Sequence, residues 1–96
     1  LAPMGNRATL VRLLTNQAVR ARRAGDIERA LTLYDRMTRF APDFPNLWWE
    51  RARLEQQLGR LTEARASLVA MLETTRDPAL VGRIGAALRS LARQAG

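Results

Sequence analysis

The sequence predicts an all-α fold: antiparallel helix-turn-helix repeats, two pairs followed by a C-terminal capping helix, wound into a short right-handed α-α superhelix. Three observations predict it. Displacing the chain by 34 residues superposes Leu13 on Leu47, Ala18 on Ala52, Gly25 on Gly59, Ala30 on Ala64, Met37 on Met71 and Asp43 on Asp77, the self-similarity of a repeat architecture. Apolar residues recur at three-and-four spacing, the period of a helix buried along one stripe. Glycine and proline punctuate the stretches between and leave no room for strands. A further step of the same displacement takes Leu47 to Val81, Ala52 to Ala86 and Leu54 to Leu88, so a closing half-repeat follows the two pairs.

The first helix is expected from Thr9 to Ala24, with Leu10, Leu13, Leu14, Gln17, Ala18 and Ala21 in register. Gly25 stops it, because a helix commonly ends on a left-handed residue that glycine adopts without penalty. Asp26 is placed to cap the second helix, whose apolar face is Ile27, Ala30, Leu31, Leu33, Tyr34 and Met37 and whose end is Ala41-Pro42, since proline disfavours a helical residue before it. After Asp43-Phe44-Pro45, the third helix carries Leu47, Trp48, Arg51, Ala52, Leu54 and Leu58 up to Gly59. Leu61, Ala64, Leu68, Met71 and Leu72 define the fourth. Asp77-Pro78 supplies a cap and a first-turn proline for the fifth, with Val81, Ile84, Ala87, Leu88 and Leu91. Ala18, Ala52 and Ala86 are expected where paired helices approach most closely, with Ala30 and Ala64 opposite them, because a larger side chain would force the axes apart. Gly82 and Gly85 each cost about 1 kcal/mol of helix propensity relative to alanine, which close packing of the fifth helix on the fourth would explain. The expected organisation is a flexible segment over residues 1–8 and one domain over 9–95, with repeats at about 11–44 and 45–78 and the capping helix at about 78–94.

Composition narrows the chemistry. Among 96 residues there are 16 arginines, no lysine, 9 Asp plus Glu, and neither His nor Cys. Thiolate and imidazole metal ligands, disulfides, a cysteine nucleophile and a Ser-His-Asp triad are therefore excluded from this segment. Ser67 and Ser90 have no base, Glu50 and Glu55 stand five apart amid arginines, and neither Gly25-Asp26 nor Gly59-Arg60 has the spacing of a phosphate loop. No catalytic residue, metal site or cofactor is expected. The longest apolar runs fall far short of the roughly 20 residues of a membrane span, and no membrane association is expected. Leu1-Ala2-Pro3-Met4-Gly5 has neither an initiating methionine nor a basic-then-apolar leader, as expected of a segment from a longer polypeptide. The net charge of +7 favours association with acidic partners.

The pattern resembles a tetratricopeptide repeat. Trp48, Ala52, Gly59, Ala64 and Met71 stand where that family prefers bulky, small, glycine, alanine and small residues, and the first repeat keeps Ala18, Gly25, Ala30, Tyr34 and Pro42 but has Leu14 for the tryptophan. The match covers roughly residues 11–93 and is specific for fold rather than for function. A narrower resemblance, in Leu14-Thr15-Asn16, Gly25 to Leu31, Arg36-Met37 and Ala41 to Pro45 leading to Trp48-Trp49-Glu50-Arg51, is to the C-terminal repeat region of the bacterial SirB-like family, where a transglutaminase-like domain precedes the repeats. That resemblance implies a cytoplasmic helical appendage.

The tetratricopeptide resemblance implies a concave binding groove. Its groove-facing places fall on Arg12, Thr15, Val19, Arg22 and Arg23, on Asn46, Trp49, Arg53, Gln56 and Gln57, and on Arg83, while Trp48 and Tyr34 point into the core. Arg12, Arg22, Arg23, Arg53 and Arg83 are the candidate anion contacts, since guanidinium forks match carboxylates, and Trp49 is the candidate apolar anchor. Thr15 and Val19 stand at places where the family's carboxylate-clamping variant uses Lys and Asn, which disfavours that clamp. The expected partner is a protein or acidic peptide, including the preceding domain of the same chain. Three other readings stand beside it. Arg20, Arg22 and Arg23 precede a helix stop and favour its carbonyls regardless of any ligand, and Arg51 with Glu55 or Asp35 with Arg39 are spaced as ordinary intrahelical pairs. The basic face could neutralise nucleic-acid phosphates, although Trp48, Trp49, Tyr34, Phe40 and Phe44 provide a poor stacking platform. Exposed Leu10, Val11, Val81 and Leu91 could instead mediate self-association.

Overall fold

The computed structural model describes residues 3–95, with side chains from residue 6 onward, and contains five helices and no strand among them: α1 (Pro3–Arg23), α2 (Ile27–Phe40), α3 (Pro45–Gln57), α4 (Leu61–Thr74) and α5 (Pro78–Ala95). Helices α1 with α2 and α3 with α4 pack as antiparallel hairpins, α2 rests on α3 and α4 on α5, and no other pair packs closely. The odd-numbered helices thus form one layer and the even-numbered helices a second. None is long and apolar enough to cross a membrane.

The caps and stops follow the local chemistry. Gly25 and Gly59 have φ of +84° and +75°, and the chain turns there so that Asp26 N–H donates to Ala21 O and Arg60 N–H to Glu55 O, both at 2.8 Å. These bonds satisfy carbonyls that the helix end leaves without partners. Asp26 Oδ1 accepts from Arg29 N–H at 3.1 Å, and Asp77 Oδ1 from Ala79 N–H at 2.9 Å, so both expected caps form. We expect Gly25→Ala or Gly59→Ala to cost about 1 kcal/mol each, since an alanine held at positive φ is strained. Gly82→Ala should instead stabilise by about 0.5–1 kcal/mol, because Gly82 lies inside α5 and a Cβ there would meet only open space. Urea midpoints of the three variants check both signs.

The core divides into two clusters. Ala18, Ala21, Ala30, Leu31, Leu33, Tyr34, Met37, Ala41, Leu47 and Leu54 fill the first, and Ala52, Ala64, Leu68, Met71, Ile84 and Leu91 the second. Ala18 and Ala30 are fully buried, and Ala52 and Ala64 nearly so. Those four small residues are enclosed in the core clusters of the two hairpins.

Four expectations are corrected. Helix α1 begins at Pro3 rather than at the expected Thr9, so residues 3–8 are helical, while residues 1 and 2 lie outside the described residues. That first part of α1 has no apolar period to announce it. It is held by polar contacts distant in sequence: Arg7 pairs with Asp43 at 2.8 Å and lies 5.3 Å over the Phe44 ring. Ala86 is exposed rather than placed at a close approach. Helix α5 buries Ile84 and Leu91 instead of Val81 and Leu88, the places equivalent to Leu47 and Leu54, and so is turned relative to α3. Gly82 and Gly85 accordingly do not serve close packing on α4, since the only nearby atom is Arg89 Nη1, 3.6 Å from a Cβ placed on Gly85. Of the expected apolar strip, Leu10 and Val81 are exposed, Val11 is half-buried and Leu91 is buried, while Leu13 is exposed.

Candidate functional site

Because α1, α3 and α5 are held apart by the helices behind them, two recesses open between them. The first, about 270 Å³, lies between α3 and α5 over α4 and is lined by Trp49, Ala52, Arg53 and Gln56, by Ala64 and Leu68, and by Arg83, Ala87, Ser90 and Leu91. Its floor is apolar and its rim carries two guanidinium groups with no acidic residue. Arg83 lies 5.0 Å over the Trp49 ring, and Gln56 Nε2 donates to Gln94 Oε1 at 3.1 Å, so side chains link α3 to α5 at both ends. The cation–π contact orients the indole and its partner arginine together.

The second recess, about 560 Å³, lies between α1 and α3 and is lined by Val11, Thr15, Val19, Arg22, Tyr34, Phe44, Asn46, Leu47, Glu50 and Arg53. Thr15 donates its hydroxyl to Met37 Sδ at 3.4 Å, which keeps that group turned to the core. Burial pushes the Tyr34 phenol above its usual pKa, Glu50 adds to this and Arg22 opposes it, so the hydroxyl stays protonated across the neutral range. Arg53 borders both recesses and stands between them.

The six candidate contacts are therefore divided. Trp49, Arg53 and Arg83 come together around the first recess, and Arg22 joins Arg53 at the second. Arg12 and Arg23 are exposed and line neither recess. Each follows a recess-lining residue, Val11 or Arg22, and one residue along a helix turns a side chain by about 100°. Glu50 was missed by the sequence reading. It is four residues from Asn46 and three before Arg53, a spacing that puts all three on one stripe of α3.

Several arginines away from the recesses are paired with carboxylates. Arg51 Nη1 donates to Thr38 Oγ1 at 2.8 Å and lies 3.2 Å from Asp35 Oδ1, its Nε is 3.3 Å from Glu55 Oε2, and it stacks 5.4 Å over Trp48. Glu55 is 2% exposed and also accepts from Ser67 Oγ at 2.6 Å. Arg51 and Glu55, spaced as an ordinary surface pair, thus form a buried network joining α2, α3 and α4. Trp48 is half-buried against the second cluster, its Nε1 donating to Pro42 O at 2.8 Å. Arg39 pairs with Asp35 at 3.1 Å and Arg60 with Glu28 at 2.7 Å. By contrast Arg22, Arg53 and Arg83 form no ion pair among the described residues. No group of acidic side chains among those residues is arranged to hold a metal ion.

Comparison with known proteins gives a family model, described as Tetratricopeptide repeat, that matches residues 18–92. No curated protein and no solved structure matches the chain, and the narrower SirB-like resemblance draws no support from these comparisons. Repeats of this kind are in general protein-interaction modules. Two helical hairpins 34 residues apart, small residues at their closures, glycines of positive φ at their turns and a family match over most of the length agree: the chain belongs to the tetratricopeptide repeat family.

Proposed function

We propose that this domain is a non-catalytic protein-binding module whose concave face takes an acidic segment of a peptide or neighbouring domain. One observation carries the reading: Trp49, Arg53 and Arg83 converge on an apolar-floored recess that no acidic residue lines, and neither arginine forms an ion pair among the described residues. Unpaired guanidinium groups beside an apolar floor suit a segment that presents carboxylates next to an apolar side chain. The Trp49 ring, already stacked with Arg83, would wall the apolar site, and Arg53 would contact a chain passing from one recess to the other.

The test is selection from a random peptide display library. Sequences enriched on the unmodified domain should combine acidic and apolar residues. The Arg53→Glu, Arg83→Glu double variant, altered only at exposed positions, should keep its helical circular dichroism and bind those peptides at least about tenfold more weakly, the loss of one or two charge-assisted hydrogen bonds. Enrichment without acidic residues, or equal binding by the variant, would overturn the reading.

A further inference from the structure

The second recess holds a charge that a purely acidic ligand would leave unpaired. Glu50 is the one acidic residue lining it, beside Arg22, Tyr34, Asn46 and Arg53. Among the described residues only three side-chain carboxylates are less than fully exposed: Asp35, Glu50 and Glu55. Asp35 and Glu55 both pair with Arg51, at 3.2 Å and 3.3 Å. Glu50 forms no ion pair and no side-chain hydrogen bond among those residues, although Arg53 follows it by three places on α3 and Arg22 lines the same recess from α1. After burial, the Glu50 charge is the next cause that raises the Tyr34 phenol, which places the carboxylate beside the wall of the recess.

We infer that Glu50 selects a cationic side chain in the bound segment, next to the carboxylate that Arg53 takes, so that the ligand carries acid and base side by side rather than acid alone. This rests on the groove reading above and adds a second charge requirement to it. A segment laid over the recess removes water from Glu50 as well as from the arginines. A half-buried carboxylate that loses water without gaining a donor opposes binding. An acidic ligand adds to that opposition: Glu50 and Arg53 lie within one turn on one stripe of α3, so a carboxylate brought to Arg53 also approaches Glu50, and like charges set side by side repel. An ammonium or guanidinium group over Glu50 removes both penalties at once. Arg22 does not supply it from within the chain, since it is exposed and forms no ion pair among the described residues.

The test selects one random peptide library in parallel on the unmodified domain and on Glu50→Gln. That substitution nearly conserves size and breaks no ion pair, so the helical circular dichroism should not change. A net charge of +7 acting alone would deplete Lys and Arg from any selected pool. The expected result is the opposite on the unmodified domain: Lys or Arg enriched at a fixed spacing from an acidic residue, with the enrichment lost on Glu50→Gln. One enriched peptide, synthesised with and without its basic residue replaced by glutamine, is then titrated by fluorescence anisotropy. The replacement should weaken binding to the unmodified domain about tenfold, the effect of one charge-assisted contact, and leave binding to Glu50→Gln unchanged. If Glu50 only holds the recess arginines in place, Glu50→Gln will weaken both peptides equally. That result, or acidic residues enriched without basic ones, would overturn the inference and leave the acidic preference of the groove standing. Basic residues enriched without acidic ones would overturn that preference and keep Glu50 as the selector. No enrichment on the unmodified domain would overturn both.

Discussion

Replacing Arg51 by alanine is expected to destabilise the domain by about 3 kcal/mol, the cost of leaving one partner of a buried charge pair alone. For a domain of this size that lowers the thermal midpoint by about 12–24 °C. Glu55 is almost wholly enclosed, and Arg51 is its cationic partner, although the Arg51 side chain itself retains 23% exposure. The loss also removes the donor to Thr38 and the stacking on Trp48. A second substitution separates charge from packing. In the Arg51→Ala background, Glu55→Gln should recover about 1–2 kcal/mol, because the amide keeps an acceptor for Ser67 while removing the uncompensated charge. Urea denaturation of the four members of this cycle measures the coupling. A cost below about 1 kcal/mol for Arg51→Ala, with no recovery by Glu55→Gln, would mean that the pair behaves as an exposed one.

Met37→Ala should cost about 3 kcal/mol, within the 2–5 kcal/mol range for emptying a fully enclosed methionine site. Met37 has no exposed surface, lies in the cluster with Ala18, Ala30 and Tyr34, and receives the Thr15 hydroxyl at its sulfur. The alanines of the same cluster cannot expand to fill the gap, and packed surroundings relax only partly into such a cavity. Met37→Leu, which nearly conserves volume, should cost less than about 1.5 kcal/mol. Leu13→Ala is the control: that side chain is 53% exposed, and its removal should move stability by no more than about 0.5 kcal/mol. A midpoint for Met37→Ala close to that of Leu13→Ala, at unchanged denaturant slope, would contradict the packing described for the first cluster.

The stops at Gly25 and Gly59 and the caps at Asp26 and Asp77 were legible because they depend on residues within a few positions of one another. Ala18 and Ala30 were legible for another reason: the repeat placed small residues at the same point of each hairpin. The start of α1 was not, since Arg7 and Asp43 are 36 residues apart and no local period connects them. The role of Arg51 and Glu55 was misjudged in the same way. Their spacing is that of any surface pair on one helix, and only the approach of Thr38 from α2 and Ser67 from α4 encloses them.

The candidate groove divides along that line too. Trp49, Arg53 and Arg83 could be assigned to a shared face from repeat position alone, whereas the exclusion of Arg12 and Arg23 and the inclusion of Glu50 depend on how α1 and α3 are rotated about their own axes. By itself the sequence determined the number of helices, their turns, their pairing into hairpins and the small residues that let each hairpin close. Those follow from backbone conformation and helical period, which act over a few residues. The tertiary structure alone decided which arginines are neutralised and the turning of α5 that buries Ile84 and Leu91. Each depends on side chains from separate helices meeting in space, and only the packed chain sets those distances.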